Sequence, residues 1–229
     1  MAGGRQIVVG DIHGCSRTFE ALLARVDLQR DDTLFLLGDY IDRGSSTRGL
    51  IESIVRMKRD GFDVRPIRGN HEEMLLGALE TGLADDLIDW MEQGGHATLR
   101  SYGVRHPSEM PEQHLHFLRR LPLFIITDRF VFVHAGLDFS LPDPFSEAGT
   151  TAMLWDRSGK GDQRRLGGRR IVTGHTPLSL DEIRSTLNSD KIRLDNGCVL
   201  GARYPGLGNL LALDLDSGEL FVQRNVDRL

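Results

Sequence analysis

The chain has 229 residues, 40% of them hydrophobic and 27% charged, which is enough apolar material for one sizeable core. A formal net charge of −5 argues against a broad nucleic-acid footprint, which would need a basic face. The two cysteines, Cys15 and Cys198, lie far apart and match neither a disulfide framework nor a zinc-ligand spacing, and no apolar run approaches the roughly 18 residues of a membrane span.

Residues 1–6 run straight into a strand with no signal-peptide apolar region, so a cytoplasmic, reduced protein is expected. Ile7-Val8-Val9 reads as a short buried strand ending at Gly10-Asp11-Ile12-His13-Gly14. Ser16 can cap a helix to about Arg25, with Phe19, Leu22, Leu23 and Val26 inward. Leu34-Phe35-Leu36-Leu37 reads as a second strand, delivering Gly38-Asp39-Tyr40-Ile41-Asp42-Arg43-Gly44 at its carboxyl end. Ser45-Ser46-Thr47 can cap a second helix whose inner stripe is Leu50, Ile51, Ile54 and Val55 and which stops near Asp60-Gly61. A third strand, about Asp63 to Ile67, runs into Arg68-Gly69-Asn70-His71-Glu72. This is a βαβαβ pattern, for which parallel strands with right-handed crossovers are expected.

Residues 73–122 read as a mostly helical cap inserted beside the sheet, broken at Gly94-Gly95 and His106-Pro107. Phe124-Ile125-Ile126 and Phe130 to Val133 then read as an antiparallel pair ending at His134-Ala135-Gly136. A short helix leads to Leu154-Trp155-Asp156-Arg157, and a basic, glycine-rich loop spans Arg164 to Arg170. Ile171-Val172-Thr173 ends at Gly174-His175-Thr176, and Ile192 to Leu194 leads to Asp195-Asn196-Gly197. Two closing strands, Leu210 to Asp214 and Leu220 to Gln223, flank a turn. No linker divides these elements, so one domain over 1–229 is expected.

Four histidines, His13, His71, His134 and His175, fall at predicted strand ends beside Asp11, Asp39, Asp42 and Asn70. Oxygen and imidazole donors of this kind suit hard or borderline divalent metals, and six of them from five strand ends suggest two ions. Arg43 is the residue type suited to gripping a phosphate through two parallel hydrogen bonds.

The ordered set Gly-Asp-Ile-His-Gly at 10–14, Gly-Asp-Tyr-Ile-Asp-Arg-Gly at 38–44, Arg-Gly-Asn-His-Glu at 68–72, His-Ala-Gly at 134–136 and Gly-His-Thr at 174–176 resembles the phosphoprotein phosphatase family of calcineurin-like metallophosphoesterases. The resemblance covers nearly the whole chain. It implies an α/β metallophosphoesterase fold: a two-sheet β-sandwich flanked by helices, with the cap at 73–122 inserted. It implies two divalent metal ions, manganese first, with iron, zinc or magnesium compatible. Asp11 and His13 would bind the first ion, Asp39 would bridge both, and Asn70, His134 and His175 would complete the second site. His71 would be the general acid, oriented by Asp42, and Arg43 and Arg157 would hold the phosphoryl oxygens, with Arg164 and Arg165 as competitors for the second role. Metal hydroxide would attack directly, without a phosphoenzyme. The substrate implied is phosphoserine or phosphothreonine in a protein; the alternative is a dinucleoside polyphosphate such as diadenosine tetraphosphate, whose hydrolases in this family often lack an aspartate at the Asp42 position. A non-catalytic phosphate-binding module would show a broken ligand set, and this set is intact.

The remaining features have plainer readings. Glu72 reads as a helix-start acid favoured by the dipole, without a catalytic role. Trp90 with Gly94-Gly95 reads as core packing and a turn, Asp195-Asn196-Gly197 as a turn supporting the site, and Cys15 and Cys198 as buried thiols. His96, His106, His114 and His116 read as surface or cap residues.

Overall fold

The computed structural model describes residues 4–158 and 160–227, apart from the side chains of Ala202 and Arg203. Its strands among these form two sheets. The first holds β1 (Gln6–Val9), β2 (Thr33–Leu36), β3 (Asp63–Pro66), β8 (Asn209–Asp214) and β9 (Leu220–Arg224) in the order β3-β2-β1-β8-β9. The second holds β4 (Phe124–Ile126), β5 (Phe130–Val133), β6 (Arg170–Thr173) and β7 (Lys191–Arg193) in sequence order. β1, β2 and β3 run parallel, as the βαβαβ pattern requires, and β5, β6 and β7 are parallel as well. β4 pairs antiparallel with β5, and β8 with both β1 and β9.

Alternation along each strand divides the apolar residues between two cores. Val8 and Phe35 point to the space between the sheets and meet Phe130, Phe132, Val172 and Ile192. The rings of Phe35 and Phe132 stack with centroids 3.9 Å apart. Ile7, Val9, Leu34 and Leu36 point the other way, onto α1 (Ser16–Val26) and α2 (Thr47–Arg59) through Phe19, Leu22, Leu50, Ile51 and Ile54. A third cluster, including Val131, Val133 and Ile171, covers the outer face of the second sheet with Met153 of α7 (Thr150–Trp155) and Leu166. Burial on both faces is why these strands read as continuous apolar runs rather than alternating ones.

The cap comprises α3 (Asn70–Thr81), α4 (Ala84–Trp90), α5 (His96–Tyr102) and α6 (Glu112–Arg119). The break expected at Gly94-Gly95 is present: the helical path from α4 to α5 kinks at Gly94, whose φ of 115° and ψ of 8° lie outside any helix. The break at Pro107 is a short 3₁₀ turn. A last short helix, α8 (Leu180–Thr186), precedes β7. Among the described residues no helix is long and apolar enough to cross a membrane.

Three local expectations change. Ser16 lies inside α1, and the free amides of Arg17 and Thr18 donate to Asp227, 210 and 209 residues away. Ser46 makes no side-chain capping bond; the Arg48 amide donates to Ser101 of α5 instead. Val55, placed on the inner stripe of α2, is 36% exposed, because that helix presents Leu50, Ile51 and Ile54 to the sheet.

The start of the first sheet is tied by Asp32. Its carboxylate accepts from the Arg5 amide at 2.9 Å, from Arg5 Nη2 at 2.6 Å and from the Gln29 amide at 2.9 Å. Burial pushes the carboxyl's pKa up, but the hydrogen bonds from Arg5 and Gln29 outweigh it and hold it below the ordinary value. The sign follows: the stabilisation is present above the unfolded carboxyl's pKa of about 4 and is lost as pH falls through the depressed native one. Asp32→Asn is expected to lower stability in urea by about 1–2 kcal/mol at neutral pH. The difference from the native chain should shrink in acid; a difference independent of pH would remove the ion pair as its cause.

Candidate dinuclear metal site

Five strands deliver the predicted residues to one place. Asp11 and His13 follow β1, Asp39 follows β2, Asn70 and His71 open α3 after β3, His134 follows β5 and His175 follows β6. Non-glycine residues with positive φ are concentrated here: of the six among the described residues, His13, Asp39, Asp42, Arg43 and His175 are five. A left-handed backbone costs such residues energy and persists where surrounding contacts over-determine it.

Asp39 is the centre. Its Oδ2 lies 3.5 Å from His13 Nε2 and 4.0 Å from His71 Nε2. Its Oδ1 lies 3.5 Å from His134 Nε2. One carboxylate therefore faces two donor groups, His13 with His71 on one side and His134 with His175 on the other. Asn70 completes the second: its Oδ1 is 2.8 Å from His134 Nε2 and 3.0 Å from His175 Nδ1, and these two nitrogens are 3.2 Å apart.

The rings are oriented from behind. His13 Nδ1 donates to the Ile41 carbonyl at 2.9 Å and His134 Nδ1 to the Leu37 carbonyl at 2.8 Å. Each then presents a bare Nε2 lone pair to the centre. Burial lowers the pKa of both, with Arg43 adding to the effect at His13, and burial with His134 brings His175 to about 3. Neutral imidazoles are what a metal requires.

The donor set fits cations. A single proton on His175 Nδ1 is the most that His134 Nε2, Asn70 Oδ1 and His175 Nδ1 could share, whereas a divalent ion would satisfy all three. Three buried carboxylates crowd the same region. Burial, with Asp195 and Asp39 nearby, raises the Asp11 carboxyl well above its ordinary value, and burial brings Asp195 to about 7. For Asp39 burial acts the same way, but the imidazoles of His134, His71 and His13 outweigh it and lower the pKa. Asp11 stands somewhat apart from the first group: its Oδ2 accepts from the His175 amide at 2.9 Å, and its buried Oδ1 has no hydrogen-bond partner among the described residues. An orphaned, buried carboxylate oxygen beside a donor cluster is a further mark of a cation site.

His71 faces both ways. Its Nδ1 sits 2.7 Å from Asp42 Oδ2, and its Nε2 points toward Asp39. Burial lowers the His71 pKa, but Asp39 and Asp42 outweigh it, so His71 is raised where the other three rings are lowered. Asp42 Oδ2 also accepts from Trp90 Nε1 at 2.9 Å, and its Oδ1 accepts from Thr98 Oγ1 at 2.7 Å. The two arginines flank the cluster: Arg43 Nη1 donates to His13 Nε2 at 2.9 Å, and Arg157 Nε reaches His175 Nε2 at 3.4 Å. Of the competitors, Arg165 is engaged by the carbonyls of Phe139, Leu141 and Pro142. Arg157 is thus the second arginine that touches the cluster.

The plainer readings hold, with additions. Glu72 is wholly buried, and its carboxylate accepts from the amides of Gly69, Asp39, Tyr40 and Ile41 at 2.8–3.2 Å. It is the helix-start acid expected, in the first turn of α3 with its bond to the Gly69 amide, and it also builds the loop that carries Asp39. Trp90 packs in the core as expected and also donates to Asp42, as does Thr98, a residue that nothing in the sequence singled out. His114 lies in cap helix α6, as the cap reading allowed, and is buried there and bonded to Tyr102 at 2.9 Å. Asp195-Asn196-Gly197 is the supporting turn expected: Asp195 Oδ1 accepts from the Gly197 amide, and Asn196 ties Leu178, Gly206 and Asn209 together.

Comparison with known proteins agrees with this geometry. The family model described as calcineurin-like phosphoesterase matches residues 4–205. A symmetrical bis(5'-nucleosyl)-tetraphosphatase of Chromohalobacter salexigens is 26% identical over an alignment covering 94% of this chain and 96% of that protein. One of Chromobacterium violaceum is also 26% identical, covering 93% and 92%. Among solved structures, one provisionally named a diadenosine tetraphosphatase superposes with a TM-score of 0.66 at 24% identity, covering 96% of this chain and 93% of that one. A Saccharomyces cerevisiae serine/threonine phosphatase with similarity to human PP5 superposes at 0.65 with 16% identity, covering 99% and 82%; at such identities the likeness is one of fold.

Proposed function

The chain belongs to the calcineurin-like phosphoesterase family, and from that premise we propose that it hydrolyses phosphate monoesters of alcohols, foremost phosphoserine and phosphothreonine in proteins. Metal-dependent phosphoester hydrolysis goes with the family; the finer reading rests on one observation, the buried His71–Asp42 pair with its 2.7 Å hydrogen bond.

The argument is one of leaving groups. An alkoxide leaves phosphorus poorly unless a proton reaches its oxygen as the bond breaks. A nucleoside diphosphate leaves as a stable anion without that proton. An imidazole backed by a carboxylate is a proton donor, and a site that only released nucleoside diphosphates would have little use for one. Asp42 orients His71 and stabilises its protonated form, leaving Nε2–H to face the leaving oxygen. Water contributes its oxygen to phosphorus, the ester P–O bond breaks with its electron pair on the alcohol oxygen, and that oxygen takes the Nε2 proton. The water's own proton then restores the imidazolium. Arg43 and Arg157, on opposite flanks, hold the phosphoryl oxygens.

Asp11 and His13 would hold one divalent ion, Asn70, His134 and His175 a second, and Asp39 would serve both. When bound, a pair of manganese ions, or iron, zinc or magnesium on the same donors, supplies the charge clamp and the water activation that this slow hydrolysis demands.

The relatives named symmetrical bis(5'-nucleosyl)-tetraphosphatases favour a second reading, hydrolysis of dinucleoside polyphosphates. Manganese-loaded protein offered a phosphoserine peptide and diadenosine tetraphosphate side by side separates the two. A large preference for the peptide is expected. A large preference for the dinucleotide, yielding two ADP, would overturn the proposal and give the His71–Asp42 pair another purpose.

A further inference from the structure

The segment from Trp90 to Thr98 grips the Asp42-Arg43 dipeptide through five hydrogen bonds. Asp42 is served by Thr98 and Trp90: its amide donates to Thr98 Oγ1 at 2.9 Å, its Oδ1 accepts from that hydroxyl at 2.7 Å, and its Oδ2 accepts from Trp90 Nε1 at 2.9 Å. Arg43 is served by the turn between them: its amide donates to the Gly94 carbonyl at 3.2 Å and its Nε to the Gln93 carbonyl at 3.3 Å. Both residues have left-handed backbones, with φ of 69° and 67°, a conformation that needs such neighbours to hold it.

The kink at Gly94 between α4 and α5 makes the grip possible. It brings Gly94 against Arg43 so closely that a Cβ there would lie 2.7 Å from Arg43 Cγ, and a Cβ on Gly95 would lie 2.7 Å from the Trp90 ring. Glycine is needed at both places for close approach, and Gly94 also has a positive φ.

We infer that Trp90 and Thr98 are positioning residues for proton donation: they aim Asp42 so that its Oδ2 holds His71 with Nε2–H toward the leaving oxygen. The inference rests on the general-acid reading of His71 proposed above. Two neutral donors occupy Asp42 and leave one lobe of Oδ2 for the imidazole. Remove either donor and the buried carboxylate turns toward what remains, taking the imidazole with it.

The test compares leaving groups. Manganese-loaded Trp90→Phe, Thr98→Val, Thr98→Ser and His71→Asn are each assayed on a phosphoserine peptide and on 2,4-dinitrophenyl phosphate, whose phenolate leaves without a proton. Trp90→Phe and Thr98→Val are expected to lose about tenfold or more in kcat on the peptide with little change in KM, and much less on the dinitrophenyl ester. Thr98→Ser, which keeps the hydroxyl, should recover most of the loss. In metal-free protein, the downfield proton resonance of the His71–Asp42 hydrogen bond should move in Thr98→Val and return in Thr98→Ser. Should Trp90→Phe not fold, the Thr98 pair carries the test. Equal losses on both esters, or none, beside a selective loss in His71→Asn, would overturn the positioning role alone. A His71→Asn variant without selectivity would overturn the general-acid reading and this inference with it.

Discussion

His71→Asn is expected to lower turnover of a phosphoserine peptide by about 10²–10⁴ while leaving manganese binding close to that of the native chain. The amide nitrogen of asparagine can still donate to Asp42, so the buried carboxylate keeps a partner, but nothing remains at the Nε2 position to protonate the leaving oxygen. Calorimetric titration of manganese is the deciding companion measurement, because the geometry leaves His71 two possible duties. Its Nε2 lies 4.0 Å from Asp39 Oδ2, in the same group of donors as His13. If the substitution removed one bound ion, His71 would be a ligand and not an acid. If turnover were unchanged with both ions bound, it would be neither.

The second large effect is expected at a residue with no place in the chemistry. Glu72→Ala should accumulate poorly or unfold at much lower urea than the native chain. Four amides, from Gly69, Asp39, Tyr40 and Ile41, donate to the two oxygens of this carboxylate in a place that water does not reach. Each buried amide left without an acceptor costs about 1–3 kcal/mol, and the set together is comparable with the 5–15 kcal/mol that holds an ordinary domain folded. Glu72→Gln is the milder variant: it keeps one oxygen but turns an NH₂ group toward amides that also donate. A loss of about 2–3 kcal/mol in urea is expected, together with weaker manganese binding, because Asp39 sits on the loop these bonds shape. A Glu72→Ala protein with a native urea midpoint and native metal affinity would show that the loop is held by its other contacts.

The two expectations differ in how far the sequence supports them. His71, Asp39, Asn70, His134 and His175 are legible because each stands at the end of an apolar run, and parallel strands bring their carboxyl ends to one edge. The family resemblance that the ordered motifs carry then implies the two-sheet arrangement. Arg157 is less legible, since a basic loop at 164–170 competes for its role. The structure engages Arg165 with loop carbonyls and leaves Arg157 against His175.

What the sequence by itself determined is the set of residues that short-range rules can reach: strands from apolar runs, helices from their spacing, and donors from their place at strand ends. What only the tertiary structure decided is which donors share a centre and what stands behind them. Asp39 turns one oxygen to each group of histidines. Glu72 reaches back over more than thirty residues to the Asp39 loop. Trp90 and Thr98 close on Asp42 from 48 and 56 residues away, and Asp227 caps α1 from the far end of the chain. These are hydrogen bonds between a side chain and a distant segment. They repeat at no helical or strand period, and their donors and acceptors are residue types found on any surface. They acquire meaning only when folding removes the water that would otherwise satisfy them.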